Sequence, residues 1–153
     1  MTAVKHYTDS LHYELLLTTK YFKMFGAQLF EQECIDISPD EMISLDVISC
    51  HPDICQRDLA KLILKDRANT GRVLDSLEEK GFVVRNLVER NNRAIKQISI
   101  TKAGEKYLSE VTSVLGERFA EVHEIISEEE MSRVISSLRK LREGIGNIVK
   151  TQI

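Results

Sequence analysis

Apolar residues recur at helical spacing along most of the chain and alternate in only one short region. Near the start they recur three, four or seven positions apart, which predicts a helix over about residues 7–33. The residues that carry this spacing are Leu11, Leu15, Phe22, Phe25 and Leu29. A helix of that length is hard to cover with the rest of a short chain, which favours a second chain as its partner.

Capping residues mark where the following helices begin. Ser38, followed by proline and three positions later by Glu41, forms a capping box and opens a second helix over residues 39–49. Pro52 cannot continue that helix. A short third helix is predicted over residues 56–63, with its leucine, alanine and isoleucine side chains inward.

A fourth helix follows after two residues and leads into the alternating region. Asp66 is the predicted N-cap, the helix runs to about Lys80, and Gly81 supplies the left-handed position that ends it. The predicted buried stripe consists of Val73, Leu74 and Leu77. Residues 82–85 and 95–100 then read as two strands joined by the polar connection 89–93.

Two long helices complete the chain. Thr101 is the predicted N-cap of the fifth, which runs to about Ile126. Ser127 and Glu130 form a second capping box that opens a sixth helix to about Lys150. One face of this helix is apolar through Met131, Val134, Leu138, Leu141 and Ile145.

This order predicts a mainly α (α+β) fold made of one domain, residues 1–153. A winged helix-turn-helix lobe over residues 38–102 is framed by terminal helices over 7–34 and 103–150, which we expect to dimerise. The sequence lacks a signal-peptide pattern and any run of 18 uncharged apolar residues, so we expect a cytoplasmic protein without a membrane span.

The net charge of −3 hides an uneven distribution. Residues 56–106 hold 12 Lys/Arg and 7 Asp/Glu, whereas the rest of the chain holds 9 and 17. One basic segment between acidic flanks is typical of a localised polyanion-binding face.

The fourth helix carries the side chains that read a DNA groove. Arg pairs with guanine O6/N7 and Asn with adenine N6/N7, and here Arg67, Asn69 and Arg72 occupy the first turns. Thr70 is placed to reach a phosphate or a thymine methyl, and Lys65 lies just before the helix. The hairpin adds Arg90 and Arg93 at its tip, where an arginine can enter a minor groove.

The full set of predicted DNA-contacting residues is larger than the helix and tip alone. It comprises Arg57, Lys65, Arg67, Asn69, Thr70, Arg72, Arg90, Arg93 and Lys96.

Three segments in the right order resemble the multiple-antibiotic-resistance-regulator (MarR) family of winged helix-turn-helix regulators. They are Gln56–Ala60, Asp66–Arg85 and Ile100–Glu105, with Arg93 between the last two. The resemblance implies a homodimer whose first and last helices form the interface, a pseudo-palindromic DNA operator and, in many members, a ligand pocket or an oxidant-sensing cysteine. It also implies that Asp66 pairs with the wing arginine, although the wing here reads Asn-Asn-Arg-Ala instead of the usual Asp-x-Arg-Arg.

The resemblance therefore predicts a transcriptional regulator, a repressor in the first instance, whose partners are double-stranded DNA, a second copy and a small effector. Two other classes stay open: an interaction module that has lost DNA binding, and an enzyme using Cys/His chemistry. The retained arginines argue against the first, and the absence of a nucleophile elbow, phosphate loop or metal-spaced cluster from the sequence argues against the second.

The three cysteines are the remaining candidate chemistry. Cys55 sits at a predicted helix N-terminus beside Arg57, where a thiolate would be favoured, so it is either a redox sensor or a small packing residue. Cys50 is expected to be buried. Cys34 has only His123 as a matching partner on the fifth helix, so we expect no metal site, and no cofactor is predicted.

Overall fold

The computed structural model describes residues 6–90 and 93–149 as helices joined to a small antiparallel sheet. The chain divides into two compact units between Pro39 and Asp40. A 3-10 turn, Tyr7–Asp9, precedes the regular elements. These are α1 (Leu11–Gln32), α2 (Pro39–Cys50), β1 (Ile54–Cys55), α3 (Gln56–Leu62), α4 (Arg67–Glu79), β2 (Val83–Arg90), β3 (Arg93–Ile100), α5 (Lys102–His123) and α6 (Glu128–Ile148). This mainly α architecture with a three-stranded sheet is the predicted fold class.

Helix α1 begins four residues later than its apolar spacing predicted. The hydroxyl of Ser10 accepts a hydrogen bond from the backbone N–H of Tyr13, so Ser10 is the N-cap and the preceding residues form the 3-10 turn. Apolar spacing has no information about a cap, which explains the error at this end. At the other end Cys34 adopts a left-handed conformation, with φ of 52°, and closes the helix.

The core of the second unit is built by helices α2 to α5 together with all three strands. Its central members are fully or almost fully buried: Leu45, Ile48, Ile54, Leu59, Leu74, Leu77, Val83, Ile98 and Leu108. The predicted stripe of α4 is confirmed for Leu74 and Leu77, while Val73 is partly buried against the same cluster. This core fixes α4 relative to the sheet that follows it.

The sheet is larger than the sequence predicted. Its strand order is β1-β3-β2, and β1 is a two-residue strand in which Ile54 lies opposite Ile98. The sequence pattern does not predict β1, because two residues cannot show an alternation. Strands β2 and β3 pair from Val83 opposite Ile100 out to Arg90 opposite Arg93. Both extend beyond their predicted ends, since backbone pairing continues through polar positions that lack alternation.

Close packing joins the sheet to α5. Thr101 accepts from the N–H of Gly104 and donates to the carbonyl oxygen of Gly81, so its predicted role as N-cap is confirmed. A Cβ placed on Gly104 would lie 2.2 Å from the carbonyl oxygen of Phe82, so this position requires glycine. The same carbonyl accepts the N–H of Thr101 at 2.9 Å.

Helix α6 begins as predicted but leaves its apolar face uncovered. Ser127 and Glu130 form the capping box in both directions, which confirms the predicted start. No residue of α6 is buried. The uncovered apolar side chains run along one face: Val134, Ile135, Leu138, Leu141, Ile145 and Ile148.

Candidate nucleic-acid interface

The turn between α3 and α4 is tight because one residue adopts a left-handed conformation. Leu64 has φ of 53°, and the N–H of Lys65 reaches back to the carbonyl oxygen of Ala60 at 3.0 Å. The side-chain amide of Gln56 then donates to the carbonyl oxygen of Arg67, also at 3.0 Å. These contacts set α4 against α3 as a helix-turn-helix.

Helix α4 has one face in the core and the other at the surface. Leu74 and Leu77 are fully buried on the inner side. Arg67, Asn69 and Arg72 are exposed. Arg67 makes no side-chain hydrogen bond or ion pair with any residue that the structure describes, so its guanidinium is available to an anion or a base.

The prediction that Thr70 contacts DNA is wrong. The side chain of Thr70 is fully buried, and its hydroxyl donates to the carbonyl oxygen of Asp66 at 2.8 Å. Thr70 therefore belongs to the inner face, one turn before Leu74. A threonine satisfied by the carbonyl four residues earlier packs like a short apolar residue, and helical spacing from Leu74 and Leu77 could have revealed it.

Three polar residues form a chain of hydrogen bonds on the exposed face. The Asp66 carboxylate caps α4 by accepting from the backbone N–H of Asn69 at 2.8 Å, which confirms the predicted cap. It also accepts from the Asn69 side-chain amide, and these two bonds hold the pKa of Asp66 below its usual range. The Asn69 side-chain oxygen then accepts from Nη1 of Arg72 at 3.2 Å. We call this chain the Asp66–Asn69–Arg72 ladder.

Two of the predicted cationic contacts are paired within the lobe. Nζ of Lys65 lies 2.8 Å from a carboxylate oxygen of Asp40 on α2. Nε of Arg57 lies 3.4 Å from a carboxylate oxygen of Asp58, and both side chains are at least half exposed. An exposed pair such as Arg57–Asp58 is weak, so Arg57 can be released to a phosphate.

The wing is fastened to α4 by an arginine that sequence reasoning missed. Arg85 on β2 donates from Nε to the Glu78 carboxylate at 3.0 Å, and its Nη2 lies 2.7 Å from Asp75. The backbone N–H of Arg85 also donates to Glu78. These bonds lower the pKa of Glu78, with the hydrogen bond from the Arg85 side chain as the main cause. Arg85 lies on β2 and its partners lie on α4. The spacing of residues along the chain does not show which side chains of a helix and a following strand come into contact, so the sequence did not predict this contact.

The predicted wing arginines occupy paired backbone positions at the end of the hairpin. Arg90 closes β2 and Arg93 opens β3, as backbone partners in the ladder of strand pairs. The two residues between them lie outside the described residues. Lys96 is exposed further along β3. The hairpin therefore places Arg90, Arg93 and Lys96 on β2 and β3, whereas the sequence pattern had placed the two arginines in the connecting loop.

A buried carboxylate ties α2 to the other end of α4. Glu41 is 7% exposed, accepts a hydrogen bond from the Ser76 hydroxyl at 2.6 Å and lies 3.3 Å from Nζ of Lys80. A buried carboxylate that lost such partners would be costly. This contact holds the C-terminal half of α4, while Leu74 and Leu77 hold its middle.

Cys55 donates a hydrogen bond to a neighbouring carboxylate. It precedes α3, as predicted, but its Sγ donates to a carboxylate oxygen of Asp58 at 3.1 Å, and this bond is the main cause that lowers the pKa of Asp58. The Arg57 side chain turns to the same carboxylate. Both groups border a small cavity of about 160 Å³ that Val88 and Ile95 of the wing also line.

Cys34 and Cys50 are both exposed, so the prediction that Cys50 is buried is wrong. Over residues 6–90 and 93–149, no three Cys, His, Asp or Glu side chains gather as a metal site. Among the same residues, no helix combines the length and hydrophobicity needed to cross a bilayer.

One comparison with known proteins covers the lobe. Residues 37–95 match the family model for the MarR family. The match begins just before α2 and ends in β3, so it spans the helix-turn-helix and most of the wing.

Solved structures share the fold over nearly the whole chain. The "S. aureus MepR-DNA complex" is similar over 92% of this chain and 99% of that one, with 23% identity and a TM-score of 0.73. NadR in complex with 4-hydroxyphenylacetate has 22% identity and a TM-score of 0.72, covering 92% and 96% of the two chains. Apo MarR from E. coli has 20% identity and a TM-score of 0.71, covering 86% and 96%.

Proposed function

We propose that this chain is a regulator of the MarR family, a sequence-specific transcriptional repressor that binds a pseudo-palindromic DNA operator as a homodimer. Helix α4 would enter the major groove, and the tip of the β2–β3 hairpin would enter the adjacent minor groove. The match of residues 37–95 to the MarR family supports a regulator over an enzyme.

The observation that carries the proposal is the exposed face of α4. Arg67 is unpaired among the described residues, and Arg72 is held in place by one hydrogen bond to Asn69. Arginine at the first turns of such a helix can bind guanine through two hydrogen bonds. Arg85 binds Glu78 and Asp75 of the same helix and so holds α4 against the wing.

The homodimer is proposed from the uncovered face of α6. Six large apolar side chains on one side of that helix are between 38% and 81% exposed. A surface of this size and continuity is typical of an association site. A two-fold dimer would present two copies of α4, and we expect half-sites about 10 base pairs apart, centre to centre.

We favour a small effector over an oxidant as the signal that changes DNA affinity. Sγ of Cys55 donates a hydrogen bond to the Asp58 carboxylate, so its partner is an anion and not the cation that activates a sensor cysteine. A cleft of about 460 Å³ between α2 and α5 offers room for a ligand, and Asp46, Ser49, Leu108 and Thr112 are among its lining residues. NadR, which shares the fold, has been solved with the small molecule 4-hydroxyphenylacetate bound to it.

The test is a fluorescence-anisotropy titration of the chain against its own upstream intergenic DNA and a scrambled duplex, at physiological salt. We expect own-site binding at least about a thousandfold tighter than scrambled binding. Arg67→Ala should cost about 1–3 kcal/mol of binding free energy.

The matched control is Lys140→Ala, which removes one positive charge from α6 outside the lobe. It should leave binding within about twofold, because screening weakens an exposed charge far from the groove. Equal, weak binding to both duplexes would overturn the proposal in favour of an interaction module that no longer reads DNA. Binding that peroxide abolishes and reductant restores in the wild type, but not in Cys55→Ser, would reinstate Cys55 as the input.

A further inference from the structure

The Asp66–Asn69–Arg72 ladder gives Asn69 a defined orientation before any DNA is bound. Its Nδ2 faces the Asp66 carboxylate, and its Oδ1 faces Nη1 of Arg72. Turning the amide over would place its oxygen against a carboxylate and its NH₂ against a guanidinium. Both neighbours oppose the flip, so the side chain is held in one of its two orientations.

In this orientation the side-chain oxygen and the NH₂ of Asn69 are both already hydrogen-bonded, and these are the two groups that an asparagine uses to read a base. Reading adenine takes the Asn oxygen as acceptor and the Asn NH₂ as donor at the same time. Here the carboxylate of Asp66 and the guanidinium of Arg72 already engage them. Charged partners form stronger hydrogen bonds than neutral ones, so a neutral adenine edge competes poorly for Asn69.

The same bond has the opposite effect on Arg72. One N–H of its guanidinium is used by Asn69, and the other donors stay unused among the described residues. A long side chain that is anchored at one point loses less rotamer freedom when it binds. Arg72 is thereby held ready to present two parallel donors, the arrangement that matches guanine O6 and N7.

We propose that Asn69 is a positioning residue that orients Arg72, and that the base recognised through this pair is a guanine and not an adenine. The inference rests on the proposed function and assigns a base preference to its groove-reading helix. Arg67 and Arg72 are then the direct readers on α4, and each half-site contains a G·C pair opposite Arg72.

The experiment combines selection with a double-mutant cycle. The wild-type chain first selects its preferred duplex from a randomised library. Wild type, Asn69→Ala, Arg72→Ala and the double variant are then titrated against that duplex and against duplexes with each half-site base pair exchanged. Thermal melting confirms that each variant is folded.

We expect Arg72→Ala to lose about tenfold discrimination at one G·C pair. Asn69→Ala should weaken discrimination at that same pair and at no A·T pair. Adding Asn69→Ala to Arg72→Ala should change the Kd by less than about twofold, since a residue acting through Arg72 has nothing left to orient. A side chain with a merely structural role would lower affinity for all duplexes alike.

Two results would overturn the inference. Loss of discrimination at an A·T pair in Asn69→Ala, with effects that add to those of Arg72→Ala, would make Asn69 a direct reader. Failure of the wild type to select any sequence would remove the proposed function and this inference with it. The two failures are distinguishable, because only the first leaves a selected operator.

Discussion

Helices α4 and α6 begin with similar caps, but the apolar face of α4 is buried and that of α6 is exposed. Each has an acceptor side chain at its N-cap and an apolar stripe along one face. In α4 Leu74 and Leu77 are fully buried, whereas in α6 Leu138 is 38% and Ile145 is 55% exposed. Amphipathic spacing therefore predicts that a face will be covered, but the fold decides whether the same chain covers it.

The difference separates two kinds of stability. The lobe around α4 derives its stability from contacts within the chain, so its unfolding should not depend on protein concentration. The apolar face of α6 contributes little to the stability of a single chain, because it is not covered. In the proposed homodimer its contribution to the free energy of unfolding should rise with protein concentration.

The largest expected effect tests the buried side of the comparison. Leu74→Ala should lower the free energy of unfolding by about 2–5 kcal/mol, because it removes buried methyl groups and leaves a cavity in the core. Equilibrium denaturation in urea measures the change. Thr70→Val is the matched control on the same face, where a smaller loss is expected because only the hydrogen bond to Asp66 disappears. A loss below about 1 kcal/mol for Leu74→Ala would show that α4 is not packed as described.

The next effect tests the uncovered side. Leu138→Glu places a charge in the apolar face of α6 and should weaken dimerisation about a hundredfold, while leaving the helical signal unchanged at high dilution. Sedimentation velocity over a concentration series measures the dissociation constant. Lys140→Glu, on the polar side of α6, should leave association nearly unchanged. Equal effects of both variants would mean that a different surface joins the copies.

A third effect concerns the Arg85 contacts that hold the wing against α4. Arg85→Ala should cost about 1–2 kcal/mol of stability, since it removes hydrogen bonds to two carboxylates that are themselves partly exposed. Arg85→Lys keeps the charge but not the two-pronged contact and should recover only part of the loss. Full recovery by lysine would show that charge alone matters there.

The same variant carries a pH dependence with a defined sign. Arg85 lowers the pKa of Glu78 from its ordinary 4.5, so this carboxylate contributes stability above that pH and loses it as pH falls through the lower folded value. The difference in stability between wild type and Arg85→Ala should therefore shrink between about pH 5 and 3. Denaturant titrations at several pH values measure it, and a difference that grows on acidification would contradict the assignment.

The smallest effect compares the two helix starts. Ser127→Ala should cost about 1 kcal/mol or less, because the hydroxyl that accepts from the N–H of Glu130 is lost at an exposed helix end. Urea denaturation measures the cost, with Ser132→Ala in the interior of α6 as the control. DNA affinity should not change for Ser127→Ala, whereas loss of the Asp66 cap should reduce it through Asn69 and Arg72. A loss of DNA affinity in Ser127→Ala would show that α6 also affects the groove-reading helix.

Local features of the fold could be predicted because they depend on neighbours in sequence. Asp66, Thr101 and Ser127 are N-caps as predicted, since a cap needs only a side-chain acceptor three residues before a free N–H. Gly81 has φ of 74° at the end of α4, which its position after the apolar stripe indicated. Leu64 and Cys34 adopt the same left-handed conformation although neither is glycine, so their residue types do not predict it.

The candidate site was only partly predictable. Arg67, Asn69 and Arg72 are exposed on α4, but Thr70 between them is buried, because the inner face of the helix extends one turn further than the apolar residues alone suggested. The role of Asn69 also depends on contacts that residue type cannot specify. An asparagine beside an aspartate and an arginine can read a base or orient a neighbour, and only the directions of its two hydrogen bonds distinguish these roles.

By itself, the sequence determined the helices, their caps, the helix-turn-helix order and the concentration of basic residues between positions 56 and 106, since each depends on short-range spacing or composition. Tertiary structure alone decided that β1 joins the sheet, that Arg85 fastens the wing to α4 and that Glu41 meets Ser76 and Lys80. These contacts join residues on different elements, and their partners are selected by how the elements pack and not by the pattern of any one of them.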